Sequence, residues 1–125
     1  MADLNLALRG VVAKQLNTIP GGTFHRRAPD NAKFPYKVFS FGPTTPVEGG
    51  RWDYSVYIDI WDRGIDPKQA EHIQERIMRA LDGANLPGDD ILPTFYLDSA
   101  FPVDDPDKEL IHYQMHFTVQ AYKRR

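Results

Sequence analysis

The stretch Trp52-Asp53-Tyr54-Ser55-Val56-Tyr57-Ile58-Asp59-Ile60-Trp61-Asp62 decides the fold of this chain. Trp52, Tyr54, Val56, Ile58 and Ile60 recur at every second position, the period of a strand that lays one face on a core. The intervening residues, Asp53, Ser55, Tyr57, Asp59 and Trp61, mix aromatics with carboxylates. A simple solvated face does not need that mixture, and Tyr and Trp are enriched where one protein surface docks on another. The strand runs through Arg63-Gly64-Ile65-Asp66-Pro67 into a helix, with Asp66 as N-cap and Pro67 at the first helical position. Ala70, Ile73, Ile77, Ala80 and Leu81 form the apolar stripe of that helix, and Glu75 and Arg79 stand four apart in the favourable order. Lys68, Glu71, His72, Arg76 and Asp82 give it a solvated side, and Gly83 and Pro87-Gly88 end it.

A second long alternation, Glu109 to Lys123, places Ile111, Tyr113, Met115, Phe117, Val119 and Ala121 toward the core and His112, Gln114, His116, Thr118 and Gln120 away from it. Upstream, Phe34 to Phe41 sends Phe34, Tyr36 and Val38 one way and Lys37, Phe39 and Phe41 the other. Both of its faces therefore have apolar work to do, as in a central strand or one whose second face meets another surface. Between this strand and Trp52 lies Gly42 to Gly50, with two prolines and three glycines in nine residues. That is longer than a hairpin needs, and it reads as a surface loop or as an arm reaching a neighbouring subunit or ligand.

The remaining elements are shorter. Leu4, Leu8, Val11, Val12 and Leu16 predict a first helix capped by Asp3, ended by Asn17 to Gly22 and weakened by about 1 kcal/mol at Gly10. Thr23 to Ala28 is a short strand followed by the turn Pro29 to Lys33. Ile91 to Ala100 is a weaker strand whose Pro93 suits an edge or a bulge, and Pro102 to Asp107 is an acidic turn. The order helix, strand, strand, strand, helix, strand, strand predicts an α+β fold. Its expected form is an antiparallel or mixed sheet of four to five strands with two helices packed on one face. At 125 residues the chain is expected to form one domain spanning 1–125.

Composition names no partner. A charged fraction of 26%, a hydrophobic fraction of 42% and a formal charge of -2 describe an ordinary soluble protein rather than a disordered or nucleic-acid-coating one. With no cysteine there are no disulfides, thiolate metal sites or cysteine nucleophiles. Neither a signal peptide nor an apolar run of about 18 residues is present, so a cytosolic site of synthesis and no membrane partner are expected.

No constellation makes an enzyme. His112 and His116 have the i, i+4 spacing of a helical zinc pair. On a strand that spacing puts them about 13 Å apart, too far to chelate one ion. Asp104, Asp105, Asp107 and Glu109 lack the spacing and central glycine of a calcium loop, and Pro106 interrupts them. Asp59 and Asp62 are the best-placed carboxylates but have no paired base, and no serine sits in a nucleophile elbow. The basic cluster Arg26, Arg27, Lys33 and Lys37 and the tail Lys123-Arg124-Arg125 read as ordinary surface charge in a chain of pI near 6.0. No catalytic residue, cofactor or metal is expected.

Three segments together resemble the tail terminator, or tail-completion, proteins of long-tailed bacteriophages and prophages. They are Thr23-Phe24-His25-Arg26-Arg27-Ala28-Pro29, then Phe34-Pro35-Tyr36-Lys37-Val38-Phe39, then Tyr54 to Asp62 with the following helix; the strand Ile111 to Ala121 fits the same plan. The resemblance implies a structural virion protein, made in the host cytoplasm and residing in the tail. Such a protein forms a ring with itself, usually hexameric, and caps the tail tube. Its partners are the tail tube protein and the head-tail connector protein, and genome DNA passes through the lumen without sequence-specific binding. A ring is head-to-tail, so each subunit presents two different patches. Phe39, Arg51, Tyr57 and Trp61 are the expected interface residues. The alternatives are a neck or connector protein of the same particle, or a small regulatory or ligand-binding α+β domain outside phages.

Overall fold

A computed structural model describes residues 2–124, with side chains described from Leu4 onward. Its elements are α1 (Ala2–Leu16), β1 (Gly22–His25), β2 (Tyr36–Val47), a 3-10 turn (Glu48–Gly50), β3 (Arg51–Arg63), α2 (Lys68–Leu81), β4 (Ile91–Val103) and β5 (Leu110–Lys123). The strands form one sheet in the order β1-β2-β3-β5-β4. β1 runs parallel to β2 and every other pair is antiparallel, so the sheet is mixed and the fold is α+β, as expected.

The core lies between one face of this sheet and both helices. Val56, Ile58 and Ile60 of β3 and Met115, Phe117 and Val119 of β5 pack with Leu8, Val12 and Leu16 of α1 and Ile73, Ile77 and Leu81 of α2. α2 begins one residue later than expected, at Lys68 with Pro67 as its N-cap, and the Asp66 carboxylate accepts the Lys68 amide at 2.9 Å from just outside it. α1 begins at Ala2, one residue before Asp3, whose expected capping side chain lies outside the described ones.

Two expectations are corrected. The stretch from Gly42 to Gly50 is not a loop: β2 continues through it, paired with β3 as far as Val47 opposite Arg51, and only Glu48–Gly50 turns. Pro43 and Pro46 are tolerated because β1 accompanies β2 only over Tyr36 to Phe39, so beyond that point β2 is an edge strand that needs no outward amide. The slip between Phe41 and Thr44 takes up one extra residue as a bulge.

Lys37 is the second correction. It belongs to no surface basic cluster, for it is wholly buried. Its ammonium donates to the carbonyls of Ile19 (3.0 Å), Pro20 (2.9 Å) and Gly21 (2.7 Å), the chain that leaves α1. Three donors thus meet three acceptors at the end of a helix, where unpaired carbonyls gather. Burial pulls the ammonium pKa down from 10.5 to about 8, so it still carries its charge at pH 7.

β4 is an edge strand, as Pro93 predicts, but its outer side is covered. Gly83 donates to the Phe95 carbonyl, Phe95 to that of Ala84, and Leu86 to that of Pro93. The chain leaving α2 therefore lies along β4 and blunts the edge.

Candidate docking face of the sheet

The face of the sheet turned away from the helices is built by the strand alternation itself. Tyr36 and Trp61, Val38 and Asp59, and Ser40 and Tyr57 are partners between β2 and β3. Trp61 and His112, Asp59 and Gln114, Tyr57 and His116, and Ser55 and Thr118 are partners between β3 and β5. No helix covers this face, and its β3 and β5 residues from Asp53 to Trp61 and from His112 to Gln120 are half-buried by one another.

A connected layer runs across its middle. The His112 Nε2 donates to Asp59 Oδ1 at 2.7 Å, and the Gln114 amide donates to the same oxygen at 2.9 Å. The His116 Nε2 donates to the Gln114 carbonyl oxygen at 3.0 Å. The Trp61 indole stacks on the His112 ring at 3.7 Å and 11°, and Tyr57 and Phe101 lean on His116 at 4.6 and 5.6 Å. Each histidine has its own partners, and among the described residues no group of His, Cys, Asp or Glu could hold a metal ion. The arrangement fixes two aromatic rings, Trp61 and Tyr57, in set orientations on a half-exposed surface.

The loop after β1 borders this layer. Arg26 turns the chain with φ 73°, and its amide donates to the Phe39 carbonyl. Residues Arg26 to Ala28 come over β2 to form, with Tyr36, Val38, Asp59 and Trp61, a recess of about 330 Å³. This loop explains why Val38 is buried on a face that no helix covers.

Of the four expected interface residues, three share this face. Trp61, Tyr57 and Arg51 follow one another along β3 over about 33 Å at the usual strand rise. Arg51 is held by a two-pronged contact with Asp53, at 2.9 and 3.2 Å. Tyr57 lies across Gly42, where a Cβ would fall 2.5 Å from the phenol oxygen, so the glycine at the β2 bulge makes room for the ring. Phe39 stands apart: it is 1% exposed, on the helix side of β2, and is part of the core. The alternation of the segment is as read, but its Lys37-Phe39-Phe41 side is the one that faces the helices.

The Asp59 network and the Lys37 contact were not anticipated. The first depends on β5 inserting between β3 and β4, which brings Asp59 opposite Gln114. The acidic turn is internally tied instead of gathering a cation: Asp105 accepts the Asp107 amide, Asp107 accepts that of Glu109, and Arg63 pairs with Asp107 at 2.8 Å.

These features define a class: a small α+β protein with one ordered aromatic sheet face that no helix covers. Residues 7–121 match the family model described as tail completion protein gp17, and the chain belongs to that family. It is therefore a structural protein of the phage tail. A chain of the virion of a native gene transfer agent particle shares the fold with a TM-score of 0.75 at 15% identity, covering 94% of this chain and 96% of that one. No curated protein matches the sequence.

Proposed function

We propose that the protein closes the tail tube as a ring of identical subunits and forms the surface on which the head connector seats. The observation that carries this reading is the uncovered sheet face, where Trp61 and Tyr57 are held in place by the Asp59-centred network and Gly42. An ordered aromatic surface suits a protein partner, here the tail tube protein or the connector protein. Arg51, Tyr57 and Trp61 are the residues of this contact, and the β2–β3 hairpin around Thr44 to Gly49 borders it. DNA passes through the lumen unread.

The test is joining. Tails assembled without the protein are supplied with wild type, Trp61→Ala, or a chain lacking Thr44 to Gly49, then mixed with filled heads, and joined particles are counted by electron microscopy. Trp61→Ala is expected to stay folded, the deletion to shorten the β2–β3 pairing, and both to reduce ring assembly or joining. Undiminished assembly and joining in both defeats the reading.

A further inference from the structure

The loop after β1 carries a strained turn. Arg26 has φ 73°, a conformation that suits glycine and is uncommon for a long side chain. The Arg27 amide donates to the His25 carbonyl at 2.9 Å and closes a three-residue turn around it. Arg26 and Arg27 are both exposed, and neither forms an ion pair among the described residues. Asp30, the one acid between Arg26 and Lys33, pairs with neither of them. No ion pair within the subunit therefore calls for arginine at a position where glycine would relieve the backbone.

The two arginines line the recess of about 330 Å³ together with Tyr36, Val38, Asp59 and Trp61. Its apolar wall is ordered: the Tyr36 ring lies 5.9 Å from Phe24, edge on, and 5.3 Å from Phe34, and Trp61 is stacked on His112. Two guanidiniums stand against one carboxylate, and that carboxylate is engaged, for Asp59 Oδ1 already accepts from His112 and Gln114. Arg9 of α1 strengthens the positive field at this corner. Burial first, and then the charges of Arg9 and Arg26, hold the His25 pKa below its ordinary 6.5. Trp61 belongs to the recess and to the docking face alike, so the two surfaces are continuous.

We propose that the recess takes one apolar side chain of the head connector, and that Arg26 and Arg27 pair with carboxylates flanking that side chain in the connector's sequence. This rests on the reading of the sheet face as the connector's seat. Tyr36, Val38 and Trp61 supply the apolar contact, and guanidiniums suit carboxylates because their planar forks donate in pairs. Charges at such a rim set the rate and the partner choice of docking more than its final strength. A nucleic acid backbone would satisfy the arginines but leave the apolar wall of Tyr36 and Val38 uncovered. An acidic protein segment with an apolar residue uses both.

Arg26→Gly combined with Arg27→Gln removes both charges from a backbone that accepts glycine. The melting temperature is expected to stay level or rise, while the rate at which tails carrying the variant join filled heads falls about tenfold at low salt and less at about 0.5 M salt. A joining rate equal to wild type at low salt overturns the proposal. The chain has no cysteine, so Pro29→Cys, next to Ala28 in the wall of the recess, takes a benzophenone maleimide at one place. Irradiation of joined particles is expected to cross-link it to an apolar connector residue with Asp or Glu close by in the sequence. A cross-link to DNA, to a second copy of this chain, to the tail tube protein or to a connector segment without acids overturns the proposal and leaves the joining reading standing. Heads that join tails equally well with and without the protein overturn both.

Discussion

Lys37 turns an alkaline titration into a test of the fold. Its ammonium titrates at about 8 in the folded chain and at 10.5 when unburied. Between those values the unfolded chain binds a proton that the folded chain does not, so stability must rise with pH across that window. Two and a half pH units correspond to about 3 kcal/mol over the whole window. Tyrosines oppose the trend above pH 10, so the clean interval is pH 7.5 to 9.5, where the same relation gives a gain of about 2 kcal/mol. Urea unfolding at pH 7.5, 8.5 and 9.5 measures it. Lys37→Met fills the same space without a donor or a proton. At pH 7.5 it leaves three carbonyls unmatched, of which the Ile19 contact is the wholly buried one. With about 1–3 kcal/mol for a buried acceptor left bare and less for the two nearer water, the loss is about 2–4 kcal/mol. The variant's stability is expected to be flat over the interval in which wild type climbs. A wild-type profile that is level or falling, or a variant that climbs equally, refutes the placement of this ammonium inside the fold.

Tyr113 gives the opposite slope: burial and the 2.8 Å hydrogen bond to Glu71 push its phenol pKa up to about 12, above the ordinary 10.0. Its contribution is complete below pH 10 and is lost as pH rises toward 12, so Tyr113→Phe is expected to flatten the alkaline decline in urea midpoints and to cost about 1 kcal/mol at neutral pH. Gly42→Ala is expected to swing the Tyr57 ring off its seat and lower joining of tails to heads, with a stability loss of about 1–2 kcal/mol from overpacking; unchanged joining separates Tyr57 from the docking face. Asp59→Ala leaves the His112 and Gln114 donors without their shared acceptor, for an expected loss of about 1–3 kcal/mol by urea unfolding and a change in Trp61 fluorescence as its stacking partner loosens. Ile77→Ala, at a wholly buried position of α2, is expected to cost about 2–5 kcal/mol in the same assay without touching the sheet face.

What the sequence made legible was whatever repeats with a period. The alternations of Trp52 to Asp62 and of Ile111 to Ala121 and the stripe from Ala70 to Leu81 are local consequences of one-sided burial. The structure keeps each of them on the side it reads. Partnership between strands is a different kind of information. Nothing in the residues around Asp59 says that β5 inserts beside β3 ahead of β4, yet that order alone sets Asp59 opposite Gln114 and Trp61 opposite His112. Phe39 lies in the core and not on the docking face for a related reason. A segment with apolar residues on both sides does not declare which side the helices take. Its lysine points away from the right answer, since burial of a charge is rare without partners, and the partners here are backbone carbonyls that no side-chain pattern reveals. The segment from Gly42 to Gly50 misled through its prolines, which break an interior strand but suit the stretch of β2 that β1 does not reach.

The composition of the sheet face is itself an argument about function. A face meant only for water would be satisfied by threonine, lysine and glutamate, each ordered by the solvent and needing no neighbour. Here Asp59 accepts two side-chain donors, one of which hands the chain of bonds on to His116, while the two histidine rings support Trp61 and Tyr57. Fixing those side chains costs rotamer entropy, of order 0.5–1.5 kcal/mol for each flexible one, and the subunit recovers only part of it from half-exposed contacts. Gly42 adds to the cost by loosening β2 at the one place where the Tyr57 ring must lie. A partner that lands on rings already held in position loses less entropy on docking, because the ordering is complete before it arrives. The same reasoning makes Trp61 and Tyr57 the positions where truncation should be felt in joining more than in folding.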